Sequence, residues 1–114
     1  GDNSFYAQGK LSWYWPPLGG VNCDTNPDGS PECTYIANGD RWDAWIDKGA
    51  ACPVEIPLGS TVFIRQLNKS FTCVDRGGLI VKEKDLFWID TLVQGGLLPY
   101  GSEVDLIISP SKIE

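Results

Sequence analysis

The stretch Ser70-Phe71-Thr72-Cys73-Val74-Asp75-Arg76-Gly77-Gly78 decides how this chain is read. A β-type run ends in a carboxylate, and the backbone then turns on two glycines, which let a chain pass close to a substrate or another strand. Downstream, Leu79-Ile80-Val81 and a charged turn over Lys82 to Leu86 lead into Phe87-Trp88-Ile89-Asp90, a second run closed by an aspartate. Upstream, Thr61-Val62-Phe63-Ile64 follows the turn Pro57-Leu58-Gly59-Ser60, and Cys33-Thr34-Tyr35-Ile36 enters the turn Asn38-Gly39-Asp40. The outermost runs are Lys10 to Trp15, stopped by Pro16-Pro17 and Gly19-Gly20, and Glu103 to Ile108. Between Asp40 and Lys48, Trp42, Trp45 and Ile46 recur at helical spacing before Gly49, which predicts about two turns of helix. About six strands and one short helix, at intervals of roughly 10–15 residues, predict a small closed all-β barrel.

The 114 residues make one domain, with 1–8 a loose N-terminus, 9–109 the barrel and 110–114 a tail. Gly1-Asp2-Asn3-Ser4 reads as a start left by processing, and no charged-plus-apolar leader opens the chain. With 42% apolar and 21% charged residues the chain is globular. No run reaches the ~18 apolar residues of a membrane span. Nine Lys+Arg against fifteen Asp+Glu leave a net charge of -6, and a nucleic-acid partner wants a basic stripe instead. The absence of His removes the commonest general base and the commonest zinc ligand. Asp24, Asn26, Asp28 and Gly29 echo half of a calcium loop, but Tyr35 stands where its last carboxylate belongs and Pro27 interrupts it. No metal and no cofactor are expected, and nothing points to an oligomeric state.

Four Cys in a short Gly- and Pro-rich chain point to an oxidising compartment, and so to a secreted or extracytoplasmic protein. Of three possible pairings, Cys23–Cys33 and Cys52–Cys73 are preferred. The first closes a polar loop too poor in apolar residues to pack by itself, and the second joins two apolar stretches of one sheet system. Four free thiols in a cytosolic domain are the plain alternative.

Three groups of residues exceed what strand formation needs. They are Gly9-Lys10-Leu11-Ser12-Trp13-Tyr14 with Ala37-Asn38-Gly39-Asp40; Ala50-Ala51-Cys52-Pro53 with Ile56-Pro57-Leu58-Gly59-Ser60; and Cys73 to Gly78 with Trp88-Ile89-Asp90. In this order they resemble the double-psi β-barrel proteins of the cell wall. The likeness is to rare lipoprotein A, to the three-aspartate barrels of lytic transglycosylases, and to the related expansins and barwins. It spans about residues 9 to 108. The resemblance implies a peptidoglycan lytic transglycosylase with peptidoglycan or another polysaccharide as partner. It puts Asp75 where the family keeps its catalytic acid, Asp40 on a second acidic position, and Asp90 on the late cleft aspartate. Cys52 falls where these families carry His or Asp. If it is bridged to Cys73, the site has lost one polar member, which opens the alternative of a non-catalytic, expansin-like glycan-binding or wall-loosening module.

A lytic transglycosylase breaks the MurNAc–GlcNAc bond without water, and a single carboxyl group can serve as acid and then base if its pKa lies near ambient pH. Asp75 is the expected acid, since flanking apolar strand residues desolvate it and raise its pKa, with Asp40 or Asp90 as electrostatic helper. Tyr14 and Arg76 are candidates for orienting substrate. Arg76 paired with Asp75 would spoil the acid, and as the next residue of the turn it is expected to point away. Trp13 and Trp88 are candidates for a sugar-stacking surface, against the plainer reading that Trp residues plug the barrel ends. Trp42 and Trp45 are expected on the buried side of the helix. A structural or surface protein that borrows the barrel is a third reading.

Overall fold

The computed structural model describes residues 3–111. Nine strands form: β1 (Phe5–Tyr14), β2 (Asp24–Thr25), β3 (Pro31–Glu32), β4 (Gly49–Ala51), β5 (Thr61–Ile64), β6 (Lys69–Asp75), β7 (Lys82–Glu83), β8 (Leu86–Leu92) and β9 (Ser102–Ser109). Six of them close a barrel in the order β1-β9-β5-β6-β4-β8, with β8 pairing back onto β1. The β1–β8 and β4–β6 pairs are parallel, and the other barrel pairs are antiparallel. One edge of β8 runs along β1, while its other edge is shared by β7 at Leu86–Phe87 and β4 at Asp90–Thr91.

Alternation in the sequence becomes the interior directly, because successive strand residues face opposite sides. Val62 and Ile64 of β5, Phe71 and Cys73 of β6, Phe87 and Ile89 of β8, and Val104, Leu106 and Ile108 of β9 all point into one core. Both disulfides form: Cys52–Cys73 lies fully buried in that core, and Cys23–Cys33 ties the β2–β3 loop. Closure also needs a residue without a side chain. A Cβ at Gly9 would run into the Phe87 carbonyl oxygen across the β1–β8 pair.

Two expectations need correction. The first strand begins at Phe5, not near Gly9, because Phe5 to Gln8 pair with Ile108 to Asp105 of β9. Residues 1 and 2 of the expected loose start, and 112–114 of the expected tail, lie outside the described residues. The expected two-turn helix is a single 3-10 turn at Trp42–Trp45. Its segment is pinned at both ends, by the Tyr35–Arg41 bridge and by the Asp47 N–H bonded to the Leu92 carbonyl, and Asp47 takes a positive φ of 64°. Trp42 and Trp45 are therefore only half-buried. Trp42 packs against the Tyr14–Ala51–Leu92 cluster and meets Trp15 edge-on at 4.9 Å.

Among the described residues no helix is long and apolar enough to cross a membrane.

Candidate functional site

An open trough of about 530 Å³ runs over the end of the barrel where β1, β4, β6 and β8 meet. Trp13, Tyr14, Asp24, Asp75, Arg76 and Asp90 contribute to it, with the small Ala51 among them. Strand pairing explains the arrangement. Ala51 of β4 is in register with Asp75 on one side and with Asp90 on the other. Two strand spacings put the two aspartate backbones roughly 10 Å apart, with only a methyl group between them. A register shift between Ala50 and Ala51 skips Val74, and such a bulge re-aims the side chain that follows it.

The two carboxylates are bonded differently. Asp75 is only 5% exposed, yet both its oxygens are occupied. Tyr14 donates its hydroxyl to Oδ2 at 2.8 Å, and the backbone N–H groups of Ala37 and Arg76 donate to Oδ1 at 3.0 and 2.8 Å. Burial raises the Asp75 carboxyl above its ordinary value, and these donors, Tyr14 foremost, pull it only part of the way back. Tyr14 stays a proton donor, because burial and the Asp75 charge raise its pKa far above the ordinary phenol. Among the described residues the Asp90 carboxylate accepts one bond, from Ser12 Oγ to Oδ1 at 2.7 Å, and Trp88 Nε1 donates to that same Ser12 oxygen at 2.7 Å. Burial, opposed by Ser12 and supported by the Asp75 charge, raises Asp90 to about 6. Its Oδ2 has no protein partner among the described residues and is not sealed away from solvent.

Of the expected site residues, Asp75, Asp90, Tyr14, Trp13 and Arg76 come together at the trough. Arg76 does not offer its guanidinium there. Nη1 donates to the carbonyls of Cys52 and Pro53 and Nη2 to that of Ile56, which staples the chain after β4. Among the described residues Arg76 forms no ion pair with Asp75; its backbone N–H bonds that carboxylate, and the guanidinium charge adds the smallest downward pull on it. Asp40 is not brought in. It is exposed and held by Trp45 Nε1 at 2.8 Å and by the Asn38 side chain. Trp88 lies beside Lys10 and Tyr100 rather than along the trough, and Tyr100 takes the lining position. Neither Gly77 nor Gly78 takes a positive φ. A side chain at Gly77 would meet Ile80, while Gly78 faces open space in the trough wall.

In the sequence Ser12 and Ala51 stand beside the candidate residues with no role of their own. Strand alternation held a signal for Ser12, which shares the Tyr14 face of β1. Asp24 stands out in the sequence only as part of an incomplete calcium-loop echo, with no link to the trough; its carboxyl is raised by burial and then by the Asp75 and Glu32 charges.

Comparison with protein-family models, with curated proteins and with solved structures finds no match for this chain. The closed six-strand barrel with two disulfides fits the double-psi barrel superfamily loosely.

Proposed function

We propose that this chain is a peptidoglycan lytic transglycosylase of the double-psi barrel kind, working outside the cytoplasm. Asp90 is its acid and base, and Asp75 its fixed carboxylate. The observation that carries the reading is the unlike bonding of two aspartates across Ala51 in one trough. Environments that push two carboxylates apart divide the roles of proton donor and charge stabiliser between them. Protonated Asp90 gives its proton to the glycosidic oxygen as the C–O bond breaks. Asp75, held in place by three donors, faces the positive charge that develops on the sugar. The 6-hydroxyl then closes on the anomeric carbon and returns its proton to Asp90, so no water is consumed. This moves the acid from Asp75, where the sequence resemblance put it, to its neighbour. The two disulfides support an oxidising location.

A second reading rests on Cys52. Bridged and fully buried, it supplies no polar group where the resemblance implies His or Asp. On that reading the trough binds glycan without cleaving it, as a wall-loosening module does. Incubation with purified sacculi followed by mass analysis separates the two. Anhydro-muropeptides support the transglycosylase. Retention on the insoluble glycan with no soluble product supports the binding module and refutes the enzyme.

A further inference from the structure

We propose that Trp88 is a positioning residue that acts through Ser12 to fix which oxygen of Asp90 carries the proton. An indole N–H can only donate, whereas a serine hydroxyl has one proton to give and can also accept. Trp88 Nε1 stands 2.7 Å from Ser12 Oγ, so Ser12 accepts from it. Ser12 is 2% exposed, and its hydroxyl reaches one acceptor among the described residues, Asp90 Oδ1 at 2.7 Å. A reversed bond, with Asp90 donating to Ser12, would leave the serine proton buried without a partner, which costs more than the bond returns. Oδ1 therefore accepts in both protonation states of Asp90. The proton, when present, sits on Oδ2, the oxygen that has no protein partner among the described residues and is not sealed from solvent. The acid is oriented before any substrate arrives, which is how positioned groups shorten the approach to a transition state.

The surroundings leave this arrangement undisturbed. Asp75 from β6 and Tyr14 from β1 face Asp90 across the trough, with Asp24 at its rim, and Tyr14 is already committed to Asp75. The Arg76 guanidinium is held by backbone carbonyls. Lys10 lies over the Trp88 ring at 5.9 Å, Tyr100 packs against that ring, and β4 brings no titratable group. Lys82 and Glu83 of β7 pair at the other end of β8.

The proposal rests on Asp90 being the acid only for its catalytic meaning; the test needs no substrate. NMR titration of the unaltered protein follows the Asp90 carboxyl carbon and the Trp88 indole N–H together. The indole signal is expected to move with the Asp90 midpoint. Ser12→Ala is expected to raise that midpoint by about one pKa unit, the usual worth of a bond to a charged group. Trp88→Phe raises it by less, and Ser12→Thr restores it. An indole signal that stays flat through the Asp90 titration overturns the proposal whether or not any variant folds, as does an Asp90 midpoint unmoved by Ser12→Ala. Absence of products from sacculi, with the titrations as expected, removes the enzymatic reading and leaves the relay standing.

Discussion

Ser12 and Tyr14, two residues apart on one face of β1, each give a hydroxyl to a different aspartate: Ser12 to Asp90 at 2.7 Å and Tyr14 to Asp75 at 2.8 Å. One strand thus organises both carboxylates of the trough. The difference between the two aspartates comes from what else reaches them. Backbone N–H groups complete the shell of Asp75, and among the described residues none is added at Asp90.

Asp90→Asn is expected to abolish release of anhydro-muropeptides from sacculi while the fold persists, because an amide can neither give nor take the proton at working pH. Activity of the unaltered protein should fall as pH rises through about 6, where Asp90 loses its proton. Turnover that is undiminished in Asp90→Asn sinks the assignment.

Stability should follow the same group with a definite sign. Burial raises Asp90 to about 6 in the folded chain against an ordinary value of 3.8, so the native state holds the extra proton between those values. Folding stability then decreases as pH rises across that window, by on the order of 2–3 kcal/mol, and levels off above it. Asp90→Asn should remove this group's share of the slope, leaving the part that the raised Asp75 and Asp24 carboxyls contribute with the same sign, and be the more stable protein at pH 7. Chemical denaturation at pH 4, 5, 6 and 7 measures it.

At Asp75 the substitutions should diverge. Asp75→Asn keeps an acceptor for the N–H groups of Ala37 and Arg76 and obliges Tyr14 to reverse its bond, a cost of about 1 kcal/mol. Asp75→Ala leaves all three donors without their acceptor, the buried Tyr14 hydroxyl among them, and should cost about 3 kcal/mol. Both should lose glycan cleavage, and denaturation midpoints that coincide for the two would contradict the bonding described.

The disulfides should open in sequence under mild reduction. Cys23 and Cys33 are half-buried on a loop whose strands pair only with each other, whereas Cys52 and Cys73 have no exposed surface. Alkylation and mass mapping should find Cys23 and Cys33 labelled first. Replacing Cys52 and Cys73 together should cost about 3 kcal/mol through the freed denatured chain, a fall of roughly 10–15 °C in Tm.

Gly9→Ala should weaken barrel closure itself. The new methyl meets the Phe87 carbonyl and, at 2.8 Å, Leu106 Cδ1, so the β1–β8 seam must open. A loss of about 2–3 kcal/mol is expected, read as a lower thermal midpoint with the disulfides intact.

What the sequence determined by itself is local. Alternating apolar runs such as Val62–Ile64 and Val104–Leu106–Ile108 marked strands and their inward faces, because a period of two follows from backbone geometry alone. The polar content of residues 24–32 was enough to pair Cys23 with Cys33, and the two aspartates at the ends of strand-like runs were visible as candidates. Tertiary structure decided everything that depends on which strand lies beside which. Ser12 meets Asp90 across 78 residues only because the barrel closes in parallel there. Ala51 spaces the carboxylates because β4 sits between β6 and β8. Arg76 turns to carbonyls of the chain after β4, and Asp40 is captured by Trp45, through contacts that no spacing rule encodes. Trp42 and Trp45 carry a helical period, yet pinning at Arg41 and Asp47 leaves room for one turn. Short-range preferences fix what each segment prefers to be, and the closing of the sheet fixes which side chains share a proton.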